Sequence, residues 1–244
     1  MIPKIIHYCW FGKGEKSDLA KKCLESWKQY LPDYEIIEWN ETNFDINSVS
    51  YVKSAYERKK YAFVSDFVRL NALQKYGGIY FDLDVEVKKN LDNFLEYDSV
   101  FSFESFDRVA TAVMMSKKEN PIISGWMNTY YDREFILDGQ EDLTTNVHEI
   151  TRILLQKGFK MTGETQFKDN IALYNKGYFC PFGAGDNPKK KYPQSYTVHW
   201  CEGTWFDSGM KKKIKFITIV KKIIGTNNYY RLLKIFKKII KSAR

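Results

Sequence analysis

The feature that most constrains this chain is the run Gly77-Gly78-Ile79-Tyr80-Phe81-Asp82-Leu83-Asp84-Val85-Glu86-Val87, which alternates apolar and polar residues without a break. Alternation at period two predicts a β-strand over 79–87. Ile79, Phe81, Leu83, Val85 and Val87 fall on a face suited to packing against a helix, and Tyr80, Asp82, Asp84 and Glu86 fall on the other. Acids at every second position, about 7 Å apart on a flat strand, raise one another's cost unless something neutralises them. Two readings are open: a half-exposed strand whose acids face water, or a site for a hard divalent cation, which takes carboxylate oxygens. At bond lengths of about 2.1 Å, one cation cannot be reached by both aspartates of a flat strand. Unless the chain bends there, one Asp is expected to ligate directly and the other to act through water or on a ligand's hydroxyls.

Around this strand the pattern is that of an α/β layer fold. Strands are expected over 2–10 and 34–39, helices over 17–30, 49–60 and 63–76, the last with Phe67, Leu70 and Leu73 as its stripe and Gly77 as its stop. Further on, 99–103, 110–116, 171–182 and 196–200 read as strands, and 121–129 and 145–157 as helices. Residues 1–208 form one expected domain, with a mixed, mainly parallel sheet flanked by helices. Residues 209–244 form a separate basic tail.

Charge is distributed unevenly. The 244-residue chain has 38 Lys and Arg against 30 Asp and Glu. Twelve of the basic residues and none of the acids lie in 211–244, leaving a body of 26 basic and 30 acidic residues. In the tail, Ile214, Ile217, Val220 and Ile224, then Tyr229, Leu232, Leu233, Phe236, Ile239 and Ile240, recur at helical spacing with lysines on the other faces. This is the pattern of C-terminal amphipathic helices lying on an anionic membrane. A helix docked on the acidic body, an oligomer contact and a phosphate-neutralising nucleic-acid face are the competing readings. Cys9, Cys23, Cys180 and Cys201 have no metal-ligand spacing and read as reduced thiols, and the N-terminal run has no signal-peptide pattern, so a cytosolic protein is expected. Gly12-Lys13-Gly14 lacks the rest of a phosphate loop, His148-Glu149 lacks the second His of a zinc helix, and no nucleophile elbow is present.

The succession Ala62-Phe63-Val64-Ser65-Asp66-Phe67-Val68-Arg69, then Tyr76-Gly77-Gly78-Ile79-Tyr80-Phe81-Asp82-Leu83-Asp84, closely resembles the DXD sugar-binding region of glycosyltransferase family 32, which is related to the clostridial glucosylating toxins. The opening Ile2 to Trp10 is similar to that family's first strand, and Val198-His199-Trp200-Cys201-Glu202-Gly203-Thr204-Trp205 to its C-terminal motif. The resemblance implies a GT-A-like fold and a nucleotide-sugar donor, usually UDP-linked, bound through Mn²⁺ or Mg²⁺. It also implies hexose transfer with retention of configuration. Carried over by position, Asp84 is the direct metal ligand, with Asp82 and His199 completing the metal site. Asp82 also contacts donor ribose or sugar, and Asp66 and Arg69 hold sugar hydroxyls and phosphate. His7, Trp10 and Tyr80 belong to the donor wall, Trp10 stacking on the base, while His199, Thr204 and Trp205 close over the diphosphate. Asn146 takes the place of a polar residue near the reacting carbon.

Each of these has a plainer reading: Asp66 and Arg69 as a surface ion pair, His199 as a core histidine, Trp10 and Trp205 as core, Asn146 as an N-cap. The resemblance and the tail together imply a polyprenyl-diphosphate-linked glycan acceptor at the cytoplasmic face of a bacterial inner membrane, in capsule or lipopolysaccharide assembly. Nucleic acid is not the expected partner. A protein acceptor is the alternative within enzymes, and a basic-tailed nucleic-acid-binding protein the alternative outside them.

Overall fold

Strand β1 (Ile5–Cys9) opens the computed structural model of the chain, which describes residues 1–183, 186, 192–203, 208–225, 228–233 and 235. Helix α1 (Asp18–Tyr30) begins where the Ser17 hydroxyl accepts the Ala20 amide at 3.2 Å, the role for which serine suits an N-cap. Its stripe Ala20, Cys23 and Trp27 is buried. Strand β2 (Glu35–Trp39) and helices α2 (Ser50–Glu57) and α3 (Tyr61–Tyr76) follow. Gly77 ends α3 at φ +67°, and a Cβ there would stand 2.6 Å from the Lys118 amide nitrogen, so glycine is required by conformation and by space.

The predicted strand over 79–87 is two strands. β3 (Gly78–Phe81) ends at Asp82, and β4 (Val85–Val87) starts after a tight turn in which the Val85 amide donates to the Asp82 carbonyl at 3.0 Å. The rest of the chain supplies β5 (Ser99–Ser102), β6 (Val113–Ser116), α4 (Pro121–Asn128), the hairpin β7 (Ile136–Leu137) and β8 (Gln140–Glu141), and α5 (Asn146–Gln156). Then come β9 (Gln166–Lys168), β10 (Ile171–Tyr174), β11 (Thr197–His199) and α6 (Ser208–Ile224). The expected strands at 110–116 and 171–182 are real but shorter, and β7, β8 and β9 carry no alternation long enough to announce them.

Seven strands form one sheet in the order β2-β1-β3-β6-β5-β10-β9. β1 pairs in parallel with β2 and β3, and β5 with β10, whereas β6 and β9 run against their neighbours. Five of seven strands thus share one direction, the mixed, mainly parallel α/β sheet that was expected. Successive residues of β3 enter opposite cores: Tyr80 joins Val64, Phe67 and Trp126 on the α3–α4 side, and Ile79 and Phe81 join Trp27 of α1 on the other. Both faces are covered, so alternation here separates two buried faces and not core from water.

His7, on β1, is wholly buried in this sheet. Its Nε2 lies 2.8 Å from the Gly77 carbonyl, and its Nδ1 accepts the Trp39 indole N–H at 3.2 Å, which fixes a neutral ring. Burial pushes its pKa down to about 4. The ring pins β1 and β2 to the end of α3 and has no nitrogen left for a donor wall. Between pH 6.5 and about 4 the unfolded chain binds a proton that the folded one refuses, so stability rises with pH across that window. Chemical denaturation at stepped pH should show His7→Gln losing less stability over this interval than the wild type, by on the order of 3 kcal/mol.

Candidate active site at the carboxyl edge of the sheet

β3 delivers Asp82 at its carboxyl end, beside the ends of β1 and β2, where open α/β sheets bind ligands. β4 then leaves the main sheet. One of its edges is satisfied by α1, through Trp27 Nε1 to the Val85 carbonyl at 2.7 Å and the Val87 amide to Ser26 Oγ at 2.9 Å. Its other edge pairs antiparallel with β11, in a register that sets His199 opposite Val85. That register brings the C-terminal motif onto the acid pair. His199 Nε2 stands 3.3 Å from an Asp84 carboxylate oxygen, the Glu202 amide donates to the other at 2.7 Å, and the Trp200 amide donates to the Asp84 carbonyl at 3.0 Å.

The turn between β3 and β4 resolves the spacing problem of a flat strand. One ligand atom from each of Asp82, Asp84 and His199 lies within 4.8 Å of the others, so both aspartates share one cluster, against the expectation of a single direct ligand on a flat strand. Two carboxylates and an imidazole form a donor set that fits Mn²⁺ or Mg²⁺, with hard oxygens predominating. Glu86, the third acid of the alternation, is not part of it. Its side chain is buried away from the pair and is held by Lys88 at 2.6 Å, Lys22 at 3.2 Å and the Trp200 indole at 3.0 Å.

Behind the pair lies a buried charge cluster. Arg69 Nη2 is 3.1 Å from Asp66 and 3.4 Å from Asp82; its Nε donates to the Ser65 carbonyl and its Nη1 to the Thr111 carbonyl at 2.9 Å. The guanidinium lies 4.5 Å over the Tyr80 ring, and the Tyr80 hydroxyl donates to Asp82 at 3.0 Å. The ion pair that was the plainer reading of Asp66 and Arg69 is present, but in the interior and not on the surface, since both residues are buried. All three guanidinium nitrogens are used within the protein, so Arg69 orients and neutralises the two aspartates.

Burial pushes the Asp66 carboxyl up to about 7, against the pull of Arg69. Asp84 goes the other way: burial would raise it, but hydrogen bonds from His199 and from the Glu202 amide hold it below the ordinary carboxylate range. Burial opposes charge on His199 too, yet Cys201 and the hydrogen bond to Asp84 outweigh it and raise the ring's pKa well above its usual value. A cation taking the imidazole must displace that proton, so Mn²⁺ should bind more tightly as pH rises and release a proton on binding. Calorimetry in buffers of different ionisation enthalpy reads both.

Other predicted residues fall around this centre. Trp10 is half-buried, with its indole N–H donating to the Gly14 carbonyl at 2.8 Å and Lys16 5.5 Å from its ring. Asn146 is the first residue of α5 and not its cap, which is Thr145. The Asn146 side chain is buried, donating to the Asp66 carbonyl at 3.0 Å and accepting the Tyr130 hydroxyl at 2.5 Å, so it holds α3 in place. Thr204 and Trp205 lie outside the described residues. Glu104, just past β5, was not singled out by any sequence pattern because it sits in an irregular stretch. Its carboxyl is raised by burial and feels the charges of His199 and Arg108.

Losing Arg69 would leave the buried Asp66 and the half-buried Asp82 without their shared cation. Arg69→Ala should lower stability by about 3–5 kcal/mol, measured by urea denaturation, and Asp66→Asn on that background should recover part of the loss.

Residues 17–101 match the family model described as a glycosyltransferase sugar-binding region containing a DXD motif. Over 129 residues the chain is 31% identical to inositol phosphoceramide mannosyltransferase 3 of Schizosaccharomyces pombe, covering 50% of this chain and 35% of that protein. It is 27% identical over 146 residues to the mannosyl phosphorylinositol ceramide synthase SUR1 of Saccharomyces cerevisiae, covering 56% and 37%. An uncharacterized glycosyltransferase, L373, of Acanthamoeba polyphaga mimivirus is 28% identical over 189 residues, covering 72% and 67%. The chain thus spans about a third of the length of the two yeast proteins. Among solved structures, the PaToxG glycosyltransferase superposes with a TM-score of 0.47 at 22% identity, over 64% of this chain and 70% of that one. Residues 17–101 are thus similar to a glycosyltransferase sugar-binding region, and Asp82-Leu83-Asp84 has the form of its DXD motif.

Proposed function

We propose that the protein is a metal-dependent glycosyltransferase of family 32 that moves a hexose from a UDP-sugar, with retention, to a polyprenyl-diphosphate-linked glycan. The observation that carries this reading is the convergence of Asp82, Asp84 and His199 within 4.8 Å at the carboxyl edge of the sheet. A bound divalent cation would be held by these three residues and would supply positive charge against a nucleotide diphosphate.

The remaining work belongs to the chain's own groups. Asp66 and Asp82, aligned by the shared guanidinium of Arg69, offer carboxylate oxygens to donor hydroxyls. Trp10 provides the flat surface for a base. No nucleophile is assigned beneath the anomeric carbon, and the acceptor hydroxyl is taken to attack from the face the leaving group departs. Preorganised charge of this kind acts on the transition state without reorganisation.

A lipid-linked acceptor is supported by two relatives whose names place their mannosyl transfer on inositol phosphoceramides, and by the basic C-terminal segment. Among the described residues no helix is long and apolar enough to cross a membrane, and the basic segment 211–244 is read as a peripheral attachment. Its proposed place is the cytoplasmic face of a bacterial inner membrane, in capsule or lipopolysaccharide assembly.

Titrating UDP into the wild type and Asp84→Ala, with Mn²⁺ and then with EDTA, tests the donor site. The expected result is Mn²⁺-dependent binding weakened at least tenfold in the variant, about 1.4 kcal/mol or more. Binding of GDP in place of UDP would overturn the choice of nucleotide, and binding unaffected by EDTA would overturn the metal site.

A further inference from the structure

Helix α6 carries two apolar stripes, and only one of them faces the protein. Ile217, Val220 and Ile224, part of the stripe that periodicity singles out, are half-buried, and Lys221 between them is buried. Lys221 Nζ donates to Asp186 at 2.7 Å and to the Tyr230 hydroxyl at 3.0 Å, in an ion pair whose two side chains are 3% and 4% exposed. Lys176 joins the same Asp186 at 3.5 Å, and Tyr230 packs edge-on against Phe106. The helix is therefore fastened to the body in one rotational setting.

That setting turns a second stripe outward. Phe216, Ile219 and Ile223, spaced i, i+3, i+7, are 67%, 48% and 76% exposed, and Leu232 and Ile235 are exposed further along the chain. Lys212, Lys215, Lys222 and Arg231 are exposed around them, and 208–235 contains no acid. Large apolar side chains grouped on an exposed face mark an interaction surface. A protein partner would be expected to bring acids to match the lysines and a pocket to match the ring. An anionic bilayer supplies both requirements at once, an apolar interior for the stripe and negative headgroups for its borders.

We infer that Phe216, Ile219 and Ile223 form a fixed membrane-insertion face, held outward by the buried Lys221–Asp186 pair, and that its partner is an anionic lipid bilayer. This surface is separate from the donor site and stands whichever sugar or acceptor the enzyme uses.

The test is flotation of the full chain with vesicles of phosphatidylglycerol and phosphatidylcholine mixed, and of phosphatidylcholine alone. The wild type should float with the anionic vesicles and much less with the neutral ones. Phe216→Ser combined with Ile219→Ser and Ile223→Ser, all exposed positions that leave folding intact by circular dichroism, should weaken anionic-vesicle binding about tenfold or more. UDP binding should be unchanged in that variant, which separates failure of this surface from failure of the donor site. Equal vesicle binding by variant and wild type would overturn the inference. So would duplex nucleic-acid binding, or a dimer abolished by the same substitutions, if either occurs without any vesicle binding.

Discussion

The site depends on one buried cation. Arg69 sits on a helix whose neighbours are almost all apolar, and it is buried beside Asp66 and Asp82. A guanidinium in such a place survives only when every nitrogen is paired, and here each is: to Ser65, to Thr111 and to the two carboxylates. These bonds tie α3 to β3 and to the segment leading into β6. They also make it tolerable to crowd two acids at the end of a parallel strand, which charge repulsion alone would oppose. Asn146 completes the frame by fixing the Asp66 backbone from α5.

The second constraint is geometric. A continuous strand would hold Asp82 and Asp84 too far apart to meet on one ion. The turn after Phe81 shortens that distance, and the new strand β4 is then kept by α1 on one edge and β11 on the other. The pairing with β11 brings His199 to Asp84 and points the Glu202 amide at the same carboxylate, from 118 positions away. The convergence of Asp82, Asp84 and His199 thus comes from a small two-stranded sheet that hangs off the main one.

The C-terminal helix follows a similar logic of buried charge. Lys221, in a run that looks solvated, is the residue that docks the helix, because Asp186 and Tyr230 together satisfy it. The docking reading therefore holds for one face of this helix, and the membrane surface proposed above is a different face.

What the amino-acid order determined alone was everything carried by short-range pattern. The periods of 79–87, 63–76 and 17–30 announced strand and helix, Gly77 marked a stop, and the family resemblance of 62–84 singled out Asp66, Arg69, Asp82 and Asp84. Glu86 looked equivalent to its neighbours because alternation cannot distinguish two buried faces from one wet face. The bend at Asp82, the approach of His199, the interior setting of Asp66 and Arg69, the structural use of His7 and the direction of α6's exposed stripe were decided by tertiary structure. Each depends on which distant segments pair and in what register, and local propensity does not encode that choice.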